Sequence, residues 1–186
     1  MDIEKNIDVI IDNFTKLKSC KDNIQKIAEI SIKAIENGNK ILLCGNGGSA
    51  SDAQHIAAEL VVKYKKLRRA LPAIALTTDT SIMTAIGNDI SAEKIFERQV
   101  DALGVKGDIL IAISTSGNSI NIINAINTAK EKGLVTILFT GSNGGNGAKI
   151  SDIVLKVPSD ITNNIQEMHI ASGHLICDLI EEHFAK

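Results

Sequence analysis

Ile109-Leu110-Ile111-Ala112-Ile113 is apolar at every position, and that continuity restricts the chain more than any other stretch. A strand wetted on one face alternates apolar and polar residues, whereas one without alternation must be covered on both faces. Strands are expected at 40–44, 73–77, 108–114, 135–140 and 153–157. Segments with helical spacing of apolar residues separate them, near 51–64, 80–88, 92–103 and 119–132, and a last helix is expected over 163–183. Two more helices open the chain. Ile3, Ile7, Ile10, Ile11, Phe14 and Leu17 mark one over 3–18; Ile24, Ile27, Ala28, Ala34 and Ile35 mark another over 22–37, stopped at Gly38. Strands alternating with helices build a parallel sheet with right-handed crossovers. The expected fold class is therefore α/β, a doubly wound three-layer α/β/α sandwich on a five-stranded parallel sheet, with extra N-terminal helices. At 186 residues, one domain over 1–186 is expected.

Ligands in such sheets bind beyond the carboxyl ends of the strands. Two polar loops are expected there. Ser114-Thr115-Ser116-Gly117-Asn118-Ser119 lies between the apolar run and a helix opening near Ile120. A helix N-terminus favours an anion, and hydroxyl donors beside it complete a phosphate cradle without lysine. An ordinary N-cap needs one hydroxyl, whereas this loop offers four. The other loop, Gly45-Asn46-Gly47-Gly48-Ser49-Ala50-Ser51, has neither the dinucleotide-binding glycine pattern nor a P-loop lysine. Alone it says little; paired with the serine loop it makes a second wall for a sugar phosphate.

Net charge is −2 with interspersed signs, and aromatic residues make up 3%, which leaves neither a basic face nor stacking platforms for nucleic acid. The cluster from Lys63 to Arg69 reads as a solvated helix end. No apolar run approaches the roughly 18 residues a membrane span needs, and the opening Met1-Asp2-Ile3-Glu4-Lys5-Asn6 is polar, so a cytoplasmic protein without membrane partners is expected. Cys20, Cys44 and Cys177 are odd in number and widely spaced, as expected of reduced structural thiols.

His55 and Glu59 are four residues apart and share a helix face, where they can hold a proton or a metal ion. A surface His–Glu pair has the same spacing. Gln166 and His174 fall eight residues apart on the last helix, about 12 Å along its axis. One metal joins them only between extended side chains or from different subunits, and His169 is a rival on spacing. His183 is expected to be exposed and inert. The stripe Ile165, Met168, Ser172, Leu175, Ile176 and Leu179, with the opening helices, offers more apolar surface than one sheet needs, so homo-oligomerisation is expected.

Taken together, these residues carry a resemblance. Cys44 to Ser49, Asp52-Ala53-Gln54-His55, Ala58-Glu59-Leu60, Thr77, Asp79, Gly87-Asn88-Asp89, Arg98-Gln99-Val100, Ser114 to Ser119 and Ile165 to Ile170 with His174 resemble the sugar isomerase (SIS) domain family, and within it the phosphoheptose isomerases. The likeness extends over about residues 20–180. It implies interconversion of a ketose and an aldose phosphate, sedoheptulose 7-phosphate and its heptose isomer, through a cis-enediol. Glu59 would be the base and His174 its acid/base partner. Ser114, Thr115, Ser116 and Ser119 would hold the phosphate. Asn46, Gly47, Asp89 and Thr115 would contact the sugar, with Gly48, Ser49, Lys63 and Gln166 as further contacts. The likeness also implies Zn2+ on His55, Glu59, Gln166 and His174, and a homotetramer in which the opening helices (3–37) pack with the last helix (163–183).

The chain departs from the family where Val62-Lys63-Tyr64 replaces Gly-Arg-Tyr, Asn164 replaces an arginine, and Ile90-Ser91-Ala92 replaces an aromatic-glycine-aromatic triplet. Lysine keeps the charge but loses the planar fork that grips phosphate. These departures bear on the sugar, and isomerisation of another sugar phosphate is one alternative. A non-catalytic relative that binds a sugar phosphate or the bacterial replication initiator is the other, but it lacks the residues matching Glu59 and His174.

Overall fold

The computed structural model describes residues 2–185. Five strands, β1 (Ile41–Gly45), β2 (Ala73–Ala75), β3 (Ile109–Ile113), β4 (Val135–Thr140) and β5 (Ile153–Lys156), form one sheet in the order β2-β1-β3-β4-β5. Every neighbouring pair is parallel. Eight α-helices surround it among the described residues: α1 (Ile3–Leu17), α2 (Lys21–Glu36), α3 (Gly48–Val61), α4 (Thr80–Asp89), α5 (Ile95–Leu103), α6 (Ile120–Glu131), α7 (Gly147–Ile150) and α8 (Thr162–Phe184).

The continuous apolar strands have the physical cause inferred from sequence. Side chains alternate across a strand, and here each face meets its own helix layer. Ile41, Leu43, Ile109, Ile111 and Ile113 pack with residues of α2, α3 and α8, whereas Leu42, Cys44, Leu110 and Ala112 pack with α5 and α6. The three cysteines are free and buried. Burial raises all three thiols, those of Cys44 and Cys177 to about 12.

Three boundaries differ from expectation in ways that shape the site. Helix α3 begins at Gly48 rather than near 51, because Gly47 turns the chain at φ +54° directly into the helix. It stops at Val61 rather than 64, and the segment beyond is a loop tied to α8. Strand β2 is confined to Ala73–Ala75, and Asp79 then caps α4 by accepting the Ile82 N–H at 2.9 Å. The Lys63–Arg69 cluster is correspondingly no helix end. Lys65 pairs with Asp178, Lys66 with Glu182 and Arg68 with Glu181.

Strand order reverses between β1 and β3, which makes the crevice at their carboxyl ends the expected ligand site. Helix α3, leaving β1, lies against α8 and carries His55 and Glu59 towards His174.

Candidate active site

The serine loop leaves β3 at Ser114, whose side chain is buried, and its Oγ lies 3.2 Å from Ser119 Oγ. Ser119 is the N-cap of α6, yet its hydroxyl makes no capping bond. The loop hydroxyls are therefore not accounted for by capping, and the first N–H groups of α6 keep their attraction for an anion. Thr115 and Ser116 line a polar cavity of about 240 Å³ together with Ser142, Asn143 and Asp160.

The loop is braced by the turn that follows β4. Gly117 sits at φ +64°, and a Cβ there would fall 2.0 Å from Gly144 O. Gly147 N donates to Gly117 O at 2.8 Å, Asn146 N to Asn118 Oδ1 at 2.9 Å, and Gly141 N to Thr115 O at 3.0 Å. Asn46 reaches the serine-loop helix through Asn121. Each amide donates to the other, at 3.0 and 2.9 Å, across the β1/β3 crevice. Neither Asn121 nor the 141–147 brace was identified from sequence. The glycines at Gly141, Gly144, Gly145 and Gly147 were the available signal; Asn121 offered none beyond a polar residue in a helix's first turn.

The second constellation lies on the α3–α8 face. His55 Nε2 is 3.1 Å from Glu59 Oε1 and 3.0 Å from His174 Nε2, and one ligand atom from each residue lies within 4.8 Å of the others. Tyr64 stacks on His174, with ring centroids 5.4 Å apart and planes 29° from parallel. Two imidazole nitrogens facing each other at 3.0 Å need a shared proton or a shared cation. Zinc bonds of about 2.0–2.1 Å in tetrahedral geometry put ligand atoms about 3.3 Å apart, and the His55–Glu59 and His55–His174 separations lie close to that value, so these donors could hold such an ion. Asp52, one turn before His55, also belongs here and was not identified as a site residue. Its Oδ2 is buried with no hydrogen-bond partner, and burial pushes its carboxyl up to about 6, against the opposing pull of His55.

Three of the four residues named as metal ligands thus come together in one protomer. Gln166 touches the start of α3 instead: a Cβ on Gly48 would fall 2.6 Å from Gln166 Nε2. Ser49 is buried in the first turn of α3, while Gly47 and Gly48 are exposed beside it. Asp89 ends α4 and lines a different cavity, of about 300 Å³, with Arg98. Lys63 is exposed in the loop after α3. His169 is not a ligand. It is fully buried against Phe139, its two ring nitrogens lack a hydrogen bond of good geometry, and burial pushes its pKa down to about 4, so the ring is neutral. His183 is not idle, since its Nε2 lies 2.8 Å from Glu36 Oε1 and links α8 to α2.

Comparison with known proteins gives one consistent answer. Residues 5–141 match the model of the SIS domain. The chain is 52% identical over 172 residues to the phosphoheptose isomerase of Akkermansia muciniphila, covering 92% of this chain and 91% of that one. It is 58% identical over 159 residues to the phosphoheptose isomerase of Aquifex aeolicus, covering 86% and 83%. Among solved structures, phosphoheptose isomerase GmhA from Neisseria gonorrhoeae superposes with a TM-score of 0.91 at 42% identity, covering 97% of each chain.

Proposed function

The chain belongs to the phosphoheptose isomerase family of SIS-domain proteins, and we propose that it converts sedoheptulose 7-phosphate to D-glycero-D-manno-heptose 7-phosphate. The observation that carries this reading is the convergence of His55, Glu59 and His174 in a sugar-phosphate isomerase fold. A carboxylate and an imidazole on one face are what an aldose–ketose exchange needs. Glu59 takes the proton that passes between C1 and C2. His174 moves a proton between the oxygens, its ring held by Tyr64 on one side and His55 on the other. Ser114, Thr115, Ser116 and Ser119 hold the phosphate with the N-terminus of α6, Asn46, Gly47, Gly48, Ser49 and Gln166 make further substrate contacts, and Asp89 and Lys63, which lie away from this crevice in their own chain, contact it from a neighbouring copy.

His55, Glu59 and His174 would hold Zn2+, and Gln166, which lies against Gly48 at the far end of α3 in its own chain, would be the fourth ligand from a neighbouring copy. When bound, the ion supplies Lewis-acid polarisation of the carbonyl oxygen. Helix α3 begins at the Gly loop, so its rise puts Glu59 about 16 Å from Gly48. A phosphate at the serine loop would therefore meet the acid–base group of a neighbouring copy more readily than its own chain's, which favours a shared site in the homotetramer we propose. Ile3, Ile7, Ile11 and Phe14 stand exposed along α1, and a largely apolar cavity of about 600 Å³ runs from Phe14 to His174. Among the described residues no helix is long and apolar enough to cross a membrane; we place the whole chain, as one domain, in the cytoplasm, feeding heptose precursors of lipopolysaccharide or capsule.

A second reading changes only the sugar. Asn164, in place of an arginine, is 5% exposed and offers no charge, and Ile90 replaces an aromatic residue. The purified protein, incubated with ketose 7-, 6- and 5-phosphates, is expected to yield aldose product from the 7-phosphate first. Preference for a shorter ketose would favour the second reading, and no turnover of any would favour a binding module. Elemental analysis of protein prepared without chelator is expected to find roughly one zinc per chain, lowered in His55→Ala.

A further inference from the structure

Among the ion pairs of the described residues, only Arg68–Glu181 has both side chains buried, at 1% and 2% exposure, with Nε and Oε1 3.7 Å apart. Buried charges persist when hydrogen bonds replace their water. Glu181 accepts three backbone N–H groups in succession, from Tyr64 at 2.7 Å, Lys65 at 2.6 Å and Lys66 at 2.7 Å. Arg68 Nη2 donates to Glu59 O at 2.7 Å, and Nη1 donates to Arg69 O at 3.0 Å and Val62 O at 3.4 Å. Burial opposes the Glu181 charge, but these N–H groups and Arg68 outweigh it and hold the carboxyl below its usual range.

The placement of these contacts matters more than their number. Helix α3 ends at Val61, where its last carbonyls need donors. Arg68 supplies one to the carbonyl of Glu59 itself. Glu181 lies two turns beyond His174 on α8, and one of the three N–H groups it holds belongs to Tyr64, the residue stacked on His174. The loop from Val62 to Arg68 is thus fastened at one end to the backbone of Glu59 and at the other to the helix of His174. The neighbouring pairs Lys65–Asp178 and Lys66–Glu182 are exposed and contribute little to such fastening.

We propose that Arg68 and Glu181 are positioning residues that fix Glu59 and His174 relative to each other by clamping the 62–68 loop between α3 and α8. The catalytic part of the proposal rests on the isomerase reading; the geometric part does not. The test measures kcat and KM on sedoheptulose 7-phosphate and, by NMR, the ring-current shielding of the His174 imidazole protons. Tyr64→Leu identifies that shielding. Glu181→Gln keeps the shape but removes the charge, and is expected to reduce the shielding. Its kcat should fall on the order of 10- to 10²-fold, because small displacements of reacting groups are costly, while KM changes less than about threefold. Arg68→Lys, which keeps the charge but cannot span the Glu59, Val62 and Arg69 carbonyls, should do the same, and carries the test if Glu181→Gln does not fold. A merely structural role lowers the melting temperature without moving shielding or kcat of the folded protein. Wild-type shielding and kcat in either folded variant would overturn the clamp. If the wild type isomerises no sugar phosphate, the shielding arm still decides the geometry separately from the activity.

Discussion

The serine loop and the α3–α8 face solve opposite problems with opposite materials. The loop is built from hydroxyls, amides and backbone N–H groups, none of which changes charge near neutral pH. Its precision comes from backbone packed against backbone, as where Gly117 meets Gly144. The α3–α8 face is built from His55, Glu59, His174 and Asp52, all titratable and carried on long helices. Its precision comes from side chains stacking and bridging, with Tyr64 on His174 and His174 against His55. Binding a phosphate requires fixed dipoles, and these cost nothing to reorganise when the ligand arrives. Moving protons requires groups that accept and release them, and such groups cannot be locked to one charge state.

This contrast breaks most visibly if the charged face proves dispensable. Glu59→Gln keeps the side-chain shape but removes the acceptor for the carbon-bound proton. Turnover of sedoheptulose 7-phosphate is expected to fall at least about 10²-fold with substrate binding retained, since positioned acid–base groups contribute about 10²–10⁴-fold. His174→Gln should behave alike. Steady-state kinetics beside direct binding of the sugar phosphate checks both, and near-wild-type turnover in the pair would remove them from the chemistry.

The loop should fail in another manner. Gly117→Ala forces a side chain into a left-handed backbone and into contact with Gly144 O. We expect a loss of about 2–4 kcal/mol in unfolding free energy, combining left-handed strain with displacement of packed backbone. In the folded fraction, KM should rise more than kcat falls, because the phosphate is held alike in ground and transition states. Urea titration and kinetics measure the two. A variant as stable as wild type would show that the 141–147 turn does not brace the loop.

The two regions also differ in how far the sequence disclosed them. The loop is contiguous, so Ile109–Ile113 and Ser114–Ser119 together announced both a buried strand and its anion-binding end. Its brace came from 25 or more residues away, through contacts such as Thr140 to Thr115, and no local pattern announces such a partner. On the helical face, the spacing of His55 and Glu59 is local and was legible. Their meeting with His174 crosses 119 residues and was expected only through family resemblance. Spacing alone left His169 as a rival, because periodicity does not say which side of α8 meets the sheet. The Lys63–Arg69 run misled for a related reason. Its lysines are solvated as expected, but the run does not end a helix, and Arg68 is buried against Glu181 on the facing helix.

The smallest expected effect tests the charge contrast itself. Asp52 titrates at about 6 in the folded chain against an ordinary 3.8, because burial disfavours its carboxylate and His55 only partly offsets that. The folded state therefore binds this proton more tightly than the unfolded state. Between pH 3.8 and about 6 the unfolded chain has already released it, so stability falls as pH rises through that window and stays lowered above it. A displacement of this size corresponds to about 3 kcal/mol unscreened, and partial exposure reduces it to roughly 1 kcal/mol. In chelator-treated protein, Asp52→Asn should match wild-type stability near pH 4 and exceed it by roughly 1 kcal/mol at pH 7. Ser119→Ala, on the neutral loop, should shift stability by the same amount at both values. Denaturant titrations at the two pH values measure the difference directly. A gap that stayed constant for Asp52→Asn would mean its carboxylate is as well solvated as any on the surface, and the helical face would lose one of its titrating members.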